Sequence, residues 1–239
     1  MALPLFYSAE ITGQDEQHLL NEEASKHIVQ VLRMKKGEQL NITNGNGYMF
    51  LTKIIDDHKK GVLIQLIEKF FHPAPAKISI GISLVKNVQR FEWFLEKAVE
   101  IGISEIYPLI CTRTERQHFR TPRMQGIMVS AMLQSQQTWL PVLFEPIKFQ
   151  QLIEKPKDGD AFIAHCLADE NRSSLQQYNS LKNPLILIGP EGDFTNEEIL
   201  KALEHNFHAV SLGNTRLRTE TAGMVAVTLL NNINAHLPG

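Results

Sequence analysis

Leu212-Gly213-Asn214-Thr215-Arg216-Leu217-Arg218-Thr219-Glu220-Thr221-Ala222 is the stretch from which the organisation of this chain can be worked out. Residues 208–212 have the apolar character of a buried strand, and behind the turn Ala222, Val225, Ala226, Leu229, Leu230 and Ile233 recur at helical spacing, marking one apolar face. Two arginines lie in the turn between them. Glu220 falls in the first helical turn, where the positive end of the helix dipole favours a carboxylate. Strand-to-helix junctions of this kind are where open sheets place their chemistry.

The same rhythm extends upstream. Apolar strands and helices alternate over residues 78–85, 88–101, 105–111, 122–137, 161–165, 185–188, 196–206 and 209–212. Near-continuous apolar strands separated by helices specify a parallel sheet covered on both faces, an α/β fold. In helix 88–101, Asn87 is placed to cap the N-terminus, Val88, Phe91, Phe94, Leu95, Ala98 and Ile101 form the stripe, and Gly102 stands at the C-cap. Gly189-Pro190-Glu191-Gly192 leaves the carboxyl end of strand 185–188, a position where parallel sheets bind ligands. Thr195 and Glu198 then spell a capping box, with Glu197 in the same first turn. Those carboxylates would repel a pyrophosphate, so a ligand without phosphate fits better than a dinucleotide.

Arg113-Thr114-Glu115-Arg116-Gln117-His118-Phe119-Arg120-Thr121-Pro122-Arg123 follows strand 105–111 and carries four arginines against one glutamate. Arginines around an aromatic suit phosphate contact and base stacking. This loop also leaves the carboxyl end of a strand, so it and the glycine turn are expected to border one cleft.

The N-terminal part has a different grain. Short apolar segments at 3–8, 39–43, 48–54 and 62–67 are separated by Lys36-Gly37, by Asn44-Gly45-Asn46-Gly47 and by an Asp-rich turn at 56–61. That pattern predicts a small antiparallel barrel or sandwich. One helix is predicted over 23–34, with Ile28, Val31 and Leu32 inward and Arg33, Lys35 and Lys36 at its end. His72-Pro73-Ala74-Pro75-Ala76 suits a linker and divides the chain into a barrel, 1–72, and an α/β domain, 77–239.

The 239 residues and a hydrophobic share of 43% are normal for a globular protein with a proper core. The longest apolar runs, such as 184–188, are too short to span a bilayer, and the N-terminus lacks a signal-peptide pattern, so a soluble, cytoplasmic protein is expected. Cys111 and Cys166 have no zinc-like spacing and are expected as reduced core thiols, with no metal. A net charge of -2 excludes nucleic-acid binding through bulk charge but leaves room for a local basic patch.

Leu187-Ile188-Gly189-Pro190-Glu191-Gly192, followed by Leu212-Gly213 and Leu217-Arg218-Thr219-Glu220-Thr221-Ala222, resembles the paired signature of the RsmE-type 16S rRNA uridine N3-methyltransferases of the SPOUT class. The likeness covers nearly the whole chain. Residues 24–34, with His27, Val31, Leu32 and Arg33, are similar to that family's PUA-like barrel, and residues 86–102 to its strand-to-helix entry ending in Glu-Ile-Gly. Two positions depart from the pattern. Asp193 stands where the family has a second glycine, and Leu133-Gln134-Ser135 followed by Gln136 and Gln137 replaces a Glu-Gln-Ser run before a basic residue. Asp tolerates a left-handed turn better than most residues, so the first departure bears only on the local turn.

The resemblance implies a C-terminal trefoil knot that binds S-adenosylmethionine, through Leu187, Gly189, Pro190, Glu191, Gly192, Leu212, Gly213, Leu217, Thr221 and Ala222. It implies transfer of a methyl group to N3 of a uridine in 16S rRNA, a homodimer, and a barrel that helps grip RNA. Arg218 is then expected to orient the uracil or its phosphate, and Glu220 either to fix that arginine or to accept the N3 proton. RNA contacts are expected from Arg33, Lys35, Lys86, Arg90, Arg113, Arg116, Arg120 and Arg123. For the dimer, the last helix offers Val225, Leu229 and Ile233 on one side and Met224 and Val227 towards another. Two other classes fit parts of the pattern. An RNA-binding module without catalysis would have no use for a buried cofactor turn, and a nucleotide-dependent oxidoreductase would need a phosphate-tolerant glycine turn.

Overall fold

The computed structural model describes residues 3–14, 16–115, 118–167 and 172–235. Arg116, one of the expected RNA contacts, lies outside them. The chain separates into two compact units, Met1–Ala74 with Met132–Leu140, and Pro75–Ala131 with Pro141–Gly239.

The first unit is a five-stranded sheet in the order β1-β3-β4-β5-β2, built from β1 (Leu5–Tyr7), β2 (Gln17–Leu19), β3 (Gln39–Thr43), β4 (Tyr48–Asp56) and β5 (Leu63–Phe71). Alternation along the strands buries Leu40 and Ile42 on β3 and Phe50, Thr52 and Ile54 on β4. Irregularities in the β4/β5 register at Leu51/Thr52 and Ile54/Asp56 mark bulges, which curl a sheet. The sheet is not wholly antiparallel, because β1 pairs with β3 in parallel. The intervening residues, which carry β2 and a helix, are long enough for that crossover.

The helix predicted over 23–34 is divided. α1 (Glu22–Lys26), capped by the Asn21 side chain, gives way to a π-helical turn over His27–Val31. The extra residue in that turn shifts the phase of the apolar stripe, so Ile28 is buried while Val31 and Leu32 stand 67% and 43% exposed. Arg33 closes the turn in the left-handed region at φ +56°. The segment Met132–Leu140 completes the unit: Thr138 O accepts from Gly47 N–H, and Trp139 Nε1 donates to His72 O.

The second unit is an eight-stranded sheet in which every pairing is parallel. Its order is β11-β13-β10-β12-β6-β7-β8, with β9 also on β7. The strands are β6 (Ser79–Ser83), β7 (Glu105–Ile110), β8 (Val142–Leu143), β9 (Ile147–Lys148), β10 (Ala161–Ala164), β11 (Ser173–Ser174), β12 (Leu185–Ile188) and β13 (His208–Ser211). The helices are α2 (Val88–Ile101), α3 (Thr121–Gln134, whose last three residues belong to the first unit), α4 (Phe149–Ile153), α5 (Asn196–Glu204) and α6 (Thr219–Ala235). Asn87 caps α2 by accepting from Gln89 N–H, and Gly102 ends it at φ +100°. Both halves of the Thr195/Glu198 capping box are formed at α5. Among the described residues, no helix is long and apolar enough to cross a membrane.

The buried face of α6 is rotated from the predicted one. Gly223, Ala226, Val227 and Leu230 are buried, whereas Ala222, Val225, Leu229 and Ile233 are half-buried. Gly223 is the cause: a Cβ there would stand 2.7 Å from Phe94 Cε2 and 2.8 Å from Ile82 Cδ1, so its absence lets α6 settle closely on α2 and β6. Val227 therefore belongs to the core and is withdrawn from any intermolecular face. Gly223→Ala is expected to cost about 1 kcal/mol net, overpacking of about 1–3 kcal/mol being partly offset by about 1 kcal/mol of helix propensity. A lower melting temperature in thermal denaturation checks this, and an unchanged or raised one would contradict it.

Candidate active site

Three parallel strands end side by side, with Ala164 of β10 in register with Ile188 of β12 and Val210 of β13. Their carboxyl ends, together with the start of α6, surround a cleft. Its lining is Ala164, His165, Cys166, Arg172, Ile188, Gly189, Pro190, Glu191, Asp193, Val210, Ser211, Leu212, Gly213, Thr215, Arg216, Leu217, Thr219 and Ala222.

Backbone contacts fix this lining. Thr219 Oγ1 donates to Gly189 O at 3.0 Å, tying the first turn of α6 to the glycine turn. Asp193 takes the left-handed conformation at φ +63°; its Oδ2 accepts from Cys166 N–H at 2.7 Å and its Oδ1 from Phe194 N–H at 2.8 Å. Its carboxylate therefore joins the β10 exit to the β12 exit. Gly213 sits at φ +145°, and no heavy atom lies within 4 Å of where a Cβ would stand, so its backbone opens onto free space. The start of α5 is closed differently. Glu198 Oε2 accepts from Thr195 N–H, while Oε1 accepts from Thr112 N–H and its hydroxyl, so the protein's own carboxylate occupies that terminus.

Gly189, Pro190, Glu191, Leu212, Gly213, Leu217 and Ala222, all singled out from the sequence, line the cleft. Leu187 does not: successive strand residues face opposite ways, so Leu187 packs into the core with Phe194 and Ile199 while Ile188 faces the cleft. Gly192 lies against Arg113, whose guanidinium donates to Gly192 O at 2.6 Å. On α6, Thr219 and Ala222 line the cleft; Glu220 and Thr221 are not in the lining, Glu220 instead meeting Arg90, which also holds Glu191 of the cleft wall. Arg218 is exposed at the helix start, with no side-chain partner among the described residues.

Glu220 is buried at 6% exposure. Its Oε1 lies 3.6 Å from Arg90 Nε, and the same guanidinium reaches Glu191 Oε1 at 3.5 Å, so Arg90 bridges two carboxylates. Glu220 Oε2 has no hydrogen-bond partner among the described residues. A buried acceptor left unmade is costly, by about 1–3 kcal/mol, and is worth explaining at a cleft edge.

The other cations are mostly committed to neighbours. Arg123 forms a two-pronged pair with Glu92 at 2.5 and 3.0 Å, Lys86 meets Glu115 at 3.0 Å, and Arg120 Nε lies 3.3 Å from His118 Nε2. Lys35 lies 3.7 Å from Asp57, while Arg33 is exposed without a side-chain partner among the described residues. Of the two thiols, Cys111 is in the core, where burial pushes it up to about 12, whereas Cys166 is exposed on the cleft wall and not a core thiol. Among the described residues no group of His, Cys, Asp and Glu is arranged to hold a metal ion.

The family description "RNA methyltransferase domain" matches residues 72–231, and "RNA methyltransferase PUA domain" matches residues 20–67. Ribosomal RNA small subunit methyltransferase E of Buchnera aphidicola subsp. Acyrthosiphon pisum is 30% identical over 97% of this chain and 94% of its own length. The chain belongs to the ribosomal RNA small subunit methyltransferase E family. The crystal structure described as a "probable rRNA-methyltransferase" from Porphyromonas gingivalis is similar, with a TM-score of 0.90, 36% identity, and 98% of this chain and 99% of that one covered. Ribosomal RNA small subunit methyltransferase E from Neisseria gonorrhoeae, solved bound to S-adenosylmethionine, matches with a TM-score of 0.85, 25% identity, and coverage of 97% and 98%.

For this methyltransferase the sequence motifs pointed to two strand ends and missed the third. His165 and Cys166 arrive from the exit of β10, and Arg172 immediately precedes β11. The rule that flagged Gly189 would have flagged His165 and Cys166, since β10 is also an apolar parallel strand whose carboxyl end opens on the same side.

Proposed function

We propose that the chain transfers a methyl group from S-adenosylmethionine to N3 of a uridine in the 16S rRNA of the small ribosomal subunit. When bound, the cofactor supplies an electrophilic methyl group on a sulfonium. The cleft suits it: Gly213 offers backbone with open space beside it, and Leu212 and Leu217 give apolar walls.

The observation that carries the chemistry is Glu220. Uracil N3 is protonated when neutral, and Glu220 Oε2 is a buried acceptor without a donor, adjoining Thr219 of the cleft wall. Arg90 Nε lies 3.6 Å from Glu220 Oε1, which leaves Oε2 as the acceptor without a partner among the described residues. Removing or sharing the N3 proton in a site fixed in advance would align the nitrogen lone pair for attack. Arg218, exposed and uncommitted, is assigned to the uracil oxygen or its phosphate.

The N-terminal unit, taken as a domain of residues 1–72 ahead of a methyltransferase domain of residues 77–239, is assigned to RNA through Arg33, with Lys35 beside it. Half-buried Met224, Val225, Leu229 and Ile233 on α6 support a homodimer. The working compartment is assigned as the cytoplasm, where small subunits are assembled. Calorimetry with S-adenosylmethionine, followed by transfer of a labelled methyl group to small subunits, tests the proposal. Cofactor binding with label entering 16S rRNA is expected, whereas RNA binding with no cofactor binding would make the chain a non-catalytic RNA-binding protein.

A further inference from the structure

Among the described residues the cleft holds two cationic side chains, Arg172 and Arg216, and two acidic ones, Glu191 and Asp193. Each oxygen of Asp193 accepts from a backbone N–H, and Glu191 faces Arg90. Arg216 is exposed. Arg172 is different. It is half-buried, one Nη1 donor is tethered to His165 O, and its Nε is buried with no hydrogen-bond partner among the described residues. A guanidinium stays protonated in any protein environment, so an unmade donor there is a standing cost unless a ligand meets it.

The tether also decides what such a ligand must look like. With Nη1 turned to His165 O, the edge left over is Nε with Nη2, the planar pair of parallel donors that a carboxylate accepts side-on. We propose that Arg172 is the residue that receives the carboxylate of the methionine portion of S-adenosylmethionine. The assignment rests on the cofactor proposed above. The carboxylate is the only anionic group of that molecule, and Arg172 is the only cleft cation, among the described residues, with a buried uncommitted donor. It makes Arg172 a specificity residue: it selects the amino-acid end of the cofactor and leaves the nucleoside end to Leu212, Gly213 and Leu217.

The test is a binding cycle by calorimetry on the full chain with three probes: S-adenosylmethionine, its decarboxylated form, and methylthioadenosine, which lacks the amino-acid portion. Wild type should prefer S-adenosylmethionine over the decarboxylated form by about tenfold or more, the usual worth of a charge-assisted pair. Arg172→Gln should lose that preference, with the decarboxylated form and methylthioadenosine held within about twofold of wild type. Arg172→Lys, which keeps the charge but not the planar edge, should fall between the two, and Arg216→Gln should leave the preference unchanged. A full preference in Arg172→Gln, its collapse in Arg216→Gln, or loss of methylthioadenosine binding in Arg172→Gln would each overturn the assignment. So would a loss of RNA affinity alone. In all four cases S-adenosylmethionine still binds wild type, whereas wild type binding none of the probes would instead remove the cofactor proposal itself.

Discussion

Gly213→Val is expected to weaken S-adenosylmethionine binding by more than about a hundredfold while the protein remains folded. Two effects act in the same direction. At φ +145° a β-branched residue is strained, so the turn after β13 would shift, and the added side chain would project into space that no protein atom occupies. The second effect matters more for binding, because Gly213 lines the cleft together with Leu212 and Leu217. Neither effect reaches the core, since Gly213 and its neighbour Asn214 are exposed. Calorimetry for affinity and a melting curve for folding check the two halves separately. Unchanged affinity in a folded variant would place the cofactor elsewhere.

The second large effect is expected at Arg218. If its guanidinium acts on the uracil or its phosphate in the transition state, Arg218→Ala and Arg218→Lys should each lower the single-turnover methylation rate by about a hundredfold or more, with cofactor affinity nearly intact. Lysine keeps the charge but loses the fixed fork of donors. Arg218 lies outside the cleft lining and has no side-chain partner among the described residues, which leaves its donors available to RNA. Arg120 supplies the contrast. It is engaged with His118 on an exposed loop, and Arg120→Ala should weaken RNA binding and reduce its salt dependence while sparing the rate at saturating RNA. Wild-type turnover by Arg218→Ala at saturating RNA would demote Arg218 to a gripping residue of the Arg120 kind.

Much of this architecture was legible because burial on both faces leaves strands such as 185–188 continuously apolar, and because caps at Asn87, Gly102 and Thr195 are local. What escaped depends on contacts distant in sequence. The phase of α6 is set by Gly223 meeting Phe94 and Ile82, which no periodicity count contains. The π-helical turn at His27–Val31 moved Val31 and Leu32 outward without any change in composition to announce it. Two-residue strands such as β8 and β11 are too short to show a period.

The candidate site divides along the same line. The glycine turns could be found because glycine is conspicuous beside an apolar strand. Arg172 could not, since the polar stretch around it has no period and its meaning lies in a tether to His165. The arginines of the 113–123 loop were conspicuous as a cluster, yet Arg113 and Arg123 prove to be bonded to Gly192 and Glu92. Counting cations in a sequence cannot tell the committed from the free, because the neutralising partner comes from another element.

The most direct measurement is to incubate the protein with methyl-labelled S-adenosylmethionine and small ribosomal subunits lacking the modification, digest the 16S rRNA to nucleosides, and identify the labelled species by mass spectrometry. The predicted result is label in 3-methyluridine, abolished by Gly213→Val. Label in a ribose-methylated nucleoside, in a base other than uracil, or in no nucleoside at all would contradict it.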